Sequence, residues 1–263
     1  MQPHRSRYWL SPPPENPETF ERQVAAVCAC YQEAAALEEV GIHTVSTDEK
    51  AGIQALERAH PGLPMRPGHV ERREFEYVRH GTQCLIANLQ VATGRILAPS
   101  VGPTRTEEDF VAHLDQTVAT DPDAGWVFLV DNLNTHRSAG LVVWVAARCG
   151  LSQDLGVKDR SGILHSMPSR AAFLADPAHR IRFVYTPPHC SWLNQVEIWF
   201  STLSRLLLRR GNFASSDALR EKLLAFITYY NATRAKPMAW TYTGRHQSVA
   251  PQPPAATAQQ VAA

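Results

Sequence analysis

The chain has 263 residues, 44% of them hydrophobic, enough to bury a full core as one large domain or one domain with appendages. With 26 Lys and Arg against 25 Asp and Glu, bulk charge neither demands nor excludes a nucleic-acid partner. The five cysteines (Cys28, Cys30, Cys84, Cys149, Cys190) include no CxxC pair and no apolar run approaches the ~18 residues of a membrane span, so a disulfide framework, a structural zinc site and a membrane partner are set aside, and a soluble, cytoplasmic protein is expected.

Residues 1–15, rich in Pro and Arg, are expected to be extended. Asn16-Pro17-Glu18 then supplies an N-cap, a proline at N1 and a first-turn acid for a helix that runs to about Val40 and stops at Gly41. HTVSTDEK reads as a strand that Asp48 ends or bisects. After a loop rich in Pro and Gly at 61–68, Phe75–His80, Cys84–Val91 and Arg95–Val101 predict a β-meander with turns at Gly81-Thr82 and Thr93-Gly94; Arg66, Arg72, Arg73 and Arg79 surround its start.

Thr106-Glu107-Glu108-Asp109 caps a helix to about Thr120. Trp126–Val130 is wholly apolar, the mark of a strand buried on both faces, and it stops at Asp131. Asn134 or Thr135 is the expected cap of a helix to about Cys149; 150–180 is irregular and polar, with a short helix near Arg170–Leu174. Ile181–Thr186 is a second buried strand, broken by Pro187-Pro188. HCSWLNQVEIWFSTLSRLLLRR then carries apolar residues at helical spacing (192, 193, 196, 199, 200, 203, 206, 207), with Ser191 or Asn194 as cap and Arg205, Arg209 and Arg210 at its end. Trp192 and Trp199 read as core. A last amphipathic helix spans Ser216–Asn231, and 246–263 is low-complexity and expected to be disordered.

Three acids hold chemically telling positions. Asp131 directly follows a buried strand, where the crevices of open α/β sheets lie. Glu197 sits about 100° round its helix from Val196, at the edge of the apolar stripe, where an acid is half desolvated and needs a partner. Like charges approach one another only for a reason, and hard oxygen-loving magnesium or manganese supplies one. Each acid also has an ordinary reading: Asp48 as a turn acid with Glu49 an equally exposed neighbour, Asp131 as the cap of the 132–136 turn, Glu197 as a partner of Arg205.

WVFLVDNLNTH followed by RFVYTPPHCSWLNQVEIWFSTL resembles the second and third catalytic blocks of the mariner-type bacterial insertion-sequence transposases, members of the DDE transposase superfamily. TVSTDEK is similar to the first block, and LLAFITYYNATRAKP resembles the family's C-terminal helix. The resemblance runs from about Arg7 to Arg245. It implies an α/β, ribonuclease H-like mixed sheet flanked by helices, with Asp48, Asp131 and Glu197 as catalytic, metal-ligating residues. It further implies magnesium, with manganese able to substitute, and DNA as partner, both transposon ends and target. The implied activity is hydrolysis at transposon ends, then attack by the freed 3′-hydroxyl on target DNA, by a homodimer.

Two departures accompany it. The family's N-terminal helix-turn-helix region has no counterpart, so 1–40 reads as a linker arm and helix before a catalytic domain at 41–245. Many superfamily members place the second and third acids about half as far apart, and 150–180 reads as the insertion responsible. Asn132, His136, His189 and Asn194 are candidates for groups beside the ligands or for DNA contacts; an ordinary surface or turn role is the alternative for both histidines. The main rivals are a non-catalytic DNA-binding or dimerisation remnant and a metal-dependent nuclease of the same fold. No GxSxG, Walker or GxGxxG motif supports serine hydrolase, P-loop or Rossmann chemistry.

Overall fold

The computed structural model describes Pro14 and residues 16–242. The expected N-terminal arm, apart from Pro14, and the tail at 246–263 lie outside the described residues. Helix α1 (Pro17–Glu39) starts where the sequence places it: the Asn16 side chain accepts from the Thr19 N–H at 2.9 Å, and Gly41 at φ 78° ends the turn after it. Then come β1 (Ile42–Arg58), β2 (Tyr77–Gln90), β3 (Ile96–Gly102), α2 (Glu107–Val118), β4 (Gly125–Val130), α3 (Ala139–Arg148), α4 (Met167–Leu174), β5 (Ile181–Tyr185), α5 (Val196–Leu206) and α6 (Ser216–Thr233).

The five strands form one sheet in the order β3-β2-β1-β4-β5. β2 runs antiparallel to both its neighbours, whereas β1, β4 and β5 are parallel. With helices on both faces, this is the ribonuclease H-like arrangement. Strand alternation divides the core. Val45, Ile86, Trp126, Phe128, Val130 and Phe183 face α2, α3 and α4. On the other side Val127 and Leu129 pack under α1, while Leu85, Ala87 and Leu89 pack under α5 and α6.

Several elements differ from the sequence reading. The two strands expected at Phe75–His80 and Cys84–Val91 are one, because β1 does not stop near Asp48 but continues to Arg58 and pairs with β2 throughout. The register shifts between Lys50 and Ile53, where Gly52 adopts φ 66°, so Ile53 and Ala55 turn to the α5–α6 side. Asn134–Arg137 forms a 3₁₀ turn, and Ser138, not Asn134 or Thr135, caps α3 by accepting from Leu141 N–H at 3.2 Å. Helix α5 begins only at Val196 and has no side-chain cap, so neither Ser191 nor Asn194 serves as one. Trp199 is buried as expected, but Trp192 lies before the helix in a short 3₁₀ turn, is 50% exposed, and meets Tyr242 edge-on at 5.1 Å. Within 150–180, α4 is recruited to the core through Phe173 and Leu174.

His113 of α2 is buried between β3 and its own helix, with Nδ1 2.8 Å from Ser100 Oγ and no partner on Nε2 among the described residues. Burial pushes its pKa down to about 3. As pH falls below the ordinary value near 6.5, the unfolded chain takes up the proton first, so this stability is complete above that pH and is lost progressively toward about 3. His113→Leu should therefore flatten the pH dependence of urea-unfolding free energy between pH 6.5 and 4.5 by about 1.4 kcal/mol per pH unit. Parallel wild-type and variant profiles would show that the imidazole is not held neutral.

Candidate active site

The site is built at the carboxyl ends of the parallel strands. Ser46 pairs with Leu129 in the β1–β4 ladder; Asp48 lies two residues further along β1, and Asp131 two residues on from Leu129, just past the end of β4. Asp48 lies on the α5 side of β1; Glu197 is in the first turn of α5. The half-buried Asp48 carboxyl is pushed up to about 7, first by burial, against the Glu49 N–H that hydrogen-bonds it, and then by the charges of Asp131, Glu49 and Glu197. Asp48 thus feels the charges of both other sequence-predicted acids.

The loop before α5 is held by a polar chain. Val196 N–H donates to Ser46 Oγ at 3.0 Å, Ser46 Oγ donates to Asn194 Oδ1, and Asn194 Nδ2 donates to Asp48 Oδ2 at 3.0 Å. From α1, Tyr31 Oη donates to the Leu193 carbonyl at 2.8 Å and accepts from Gln195 N–H at 3.1 Å. Asn194 therefore orients the first acid, and Ser46 and Tyr31, which the sequence reading passed over, hold Asn194's loop to β1 and α1.

Asp131 is anchored differently. Its Oδ1 accepts from the Leu133 N–H at 2.8 Å and faces His136 Nδ1 at 2.8 Å. Burial raises its pKa, but the His136 and Leu133 hydrogen bonds and the charges of His136 and Arg137 outweigh that and leave it below the usual carboxylate range. His136 is not a surface residue: its side chain is 0% exposed, and Nε2 meets Glu49 Oε1 at 2.9 Å. Burial alone would lower the imidazole pKa; the two carboxylates raise it to about 9. The Glu49 side chain, expected to be exposed, is only 2% so, because it alternates with Asp48 and points to the α2–α3 side of the sheet.

Other candidates lie apart from the carboxylates. Asn132 turns its amide to the Thr186 carbonyl, tying the ends of β4 and β5 together. His189 is an exposed residue of the turn after Pro188, in the left-handed region at φ 62°. Glu197 is exposed rather than half desolvated, so the burial cost falls on Asp48 instead. Arg205 and Arg209 line a groove of about 570 Å³ with Lys50, Ser201, Ser204 and Glu197. Among the described residues no trio of His, Cys, Asp or Glu is already gathered tightly enough to hold a metal ion. Glu197 makes no side-chain hydrogen bond or ion pair among the described residues.

The class of protein defined by this sheet is a ribonuclease H-like domain. The family described as DDE superfamily endonuclease matches residues 43–220, and the chain belongs to it. No curated protein matches the chain. Among solved structures it is similar to the Mos1 mariner paired end complex with Mn, at 14% identity over 85% of this chain and 59% of that one, with a TM-score of 0.49. It is also similar to the Mos1 transposase paired-end complex with left transposon end, at 12% identity over 86% and 61%, with a TM-score of 0.48. For the catalytic domain of Mos1 mariner transposase the figures are 12% over 83% and 85%, with a TM-score of 0.46. The chain thus spans about three fifths of the first two chains.

Because burial and like charges raise the Asp48 pKa, ionising this group weakens the fold as pH rises from about 4 to about 7. In chelator-treated protein, Asp48→Asn should raise the melting temperature by a few degrees at pH 8, an advantage that fades below pH 5. An Asp48→Asn melting temperature below wild type at pH 8 would show that the carboxylate is not under strain.

Proposed function

We propose that this chain is the catalytic domain of a mariner-type transposase, which cuts DNA strands at transposon ends and joins the freed 3′ ends to target DNA. Asp48, Asp131 and Glu197 are its metal ligands. The observation that carries this reading is the parallel β1–β4 register, which carries Asp48 and Asp131 to the same edge of the sheet, where the charges of Asp131 and Glu197 oppose the ionisation of Asp48. The donor set suits magnesium or manganese: it is all oxygen, and its accumulated negative charge is relieved by a hard dication. When bound, that ion neutralises charge at a phosphodiester and makes the attacking water or hydroxyl more acidic.

The chain's own residues do the positioning. Asn194 holds one oxygen of Asp48 and His136 one oxygen of Asp131, so two of the three acids are oriented before any ligand arrives. Lys50, Arg205 and Arg209 line the groove with Glu197, and their positive charge suits a phosphate backbone. The catalytic unit is assigned to 41–245, with 1–40 as arm and helix, 150–180 as an insertion and 246–263 as a tail. No helix among the described residues is long and apolar enough to cross a membrane. We place the working protein in the cytoplasm, at the nucleoid when bound to DNA, as a homodimer on paired ends.

A magnesium-dependent nicking and joining assay on supercoiled plasmid carrying the element's ends tests the reading. Asp48→Ala, Asp131→Asn and Glu197→Gln should each lower cutting at least about a thousandfold with the fold intact. Wild-type-like cutting by Asp131→Asn would overturn the assignment. Cutting without joining would instead favour a nuclease, and a folded wild type that never cuts would favour a remnant. Replacing Lys50, Arg205 and Arg209 together by Gln should reduce the slope of log affinity for duplex DNA against log salt by about 0.9 per lost phosphate contact; an unchanged slope places the DNA elsewhere.

A further inference from the structure

We propose that Glu49 and His136 form a buried positioning relay that fixes which oxygen of Asp131 is presented to the cation. The inference rests on the reading of Asp131 as a ligand. The relay crosses the sheet edge: Glu49 Oε1 lies 2.9 Å from His136 Nε2, and His136 Nδ1 lies 2.8 Å from Asp131 Oδ1. The His136 and Glu49 side chains are 0% and 2% exposed, whereas that of Asp131 is 43% exposed. The ring is clamped as well as paired. Phe110 packs against it at 4.4 Å, Tyr185 Oη donates to the His136 carbonyl at 2.9 Å, and the His136 N–H donates to the Leu133 carbonyl at 3.0 Å.

This geometry assigns the two oxygens of Asp131 different tasks. Oδ1 is committed to two donors, His136 Nδ1 and the Leu133 N–H, and Oδ2 has no hydrogen-bond partner among the described residues. Fixing Oδ1 fixes the carboxylate torsion, so Oδ2 is aimed before the ion arrives and its ordering entropy is already spent. A proton-shuttle role does not fit, because both ring nitrogens are engaged and the ring is fully buried. A purely structural role fits poorly too: an apolar pair would fill the space beside Phe110 without the desolvation cost of two buried charges. What an apolar pair cannot do is hold a carboxylate.

Replacing both by Gln removes the imidazole nitrogen that faces Asp131 Oδ1 and the carboxylate that holds the ring, and leaves polar side chains in their place. The test is manganese affinity, followed by electron paramagnetic resonance of free Mn²⁺, on the folded full chain. The Glu49→Gln/His136→Gln variant should bind Mn²⁺ about 10- to 100-fold more weakly than wild type. Val142→Ala, which opens a cavity in the same core on α3, should lose melting temperature but keep wild-type Mn²⁺ affinity. If the double variant does not fold, Glu49→Gln alone carries the test, with a several-fold loss expected. Wild-type Mn²⁺ affinity in the folded relay variant, or an equal loss in Val142→Ala, overturns the relay. Asp131→Asn separates this from failure of the underlying reading: if it binds Mn²⁺ as tightly as wild type, Asp131 is not a ligand and the relay has nothing to position.

Discussion

Everything at the site depends on where β4 stops. The strand is wholly apolar through Val130 and is sandwiched between helices on both faces, so its first polar side chain, Asp131, emerges where the sheet ends. Because β1 is its parallel neighbour in a fixed register, Asp48 is carried to the same level. A slip of one residue in that ladder would move Asp48 to the α2–α3 side and bring Glu49 to the α5 side. The hydrophobic alternation of Val45, Trp126 and Phe128 against Val127 and Leu129 forbids such a slip, since it would expose one set and bury polar groups in exchange.

Two neighbouring carboxylates at that edge end up with opposite electrostatic fates. Asp48 is half-buried, hydrogen-bonded only by neutral donors, and close to other acids, so its ionisation is opposed. Asp131 stays ionised because His136 and Arg137 bring positive charge to it. Environments that push paired acids apart in this way mark sites of chemistry more often than sites of stability. The fold carries the strain on rigid supports: α1 through Tyr31, the loop before α5 through Asn194, and the far face of the sheet through Glu49.

The parts legible in the sequence are those encoded locally. The Asn16 cap with Pro17, the Thr106–Asp109 capping box, the apolar run of β4 and the stripe of α5 each contain their own signal within a few residues. The three acids could be picked out because each sits at the edge of such a signal. What stayed hidden needs a partner strand or a distant loop to be known. The continuation of β1 past Gly52 depends on pairing with Tyr77–Gln83 and on a register shift that reverses which side chains face inward. Glu49 looks like one more exposed charge in STDEK until β1 is given its two faces. His136 looks like a surface residue until Glu49 is seen beneath it, and Asn194 looks like a cap until Asp48 is placed within 3.0 Å of it.

The central claim is that two faces of one sheet cooperate to aim a carboxylate at a cation. Anomalous diffraction at the manganese edge, from crystals of the full chain grown with Mn²⁺, addresses it most directly. The account predicts an anomalous peak bounded by Asp48, Asp131 and Glu197, with Asp131 contributing Oδ2 while Oδ1 stays on His136 Nδ1. A peak located elsewhere, or ligation through Oδ1 with the His136 contact broken, would contradict it.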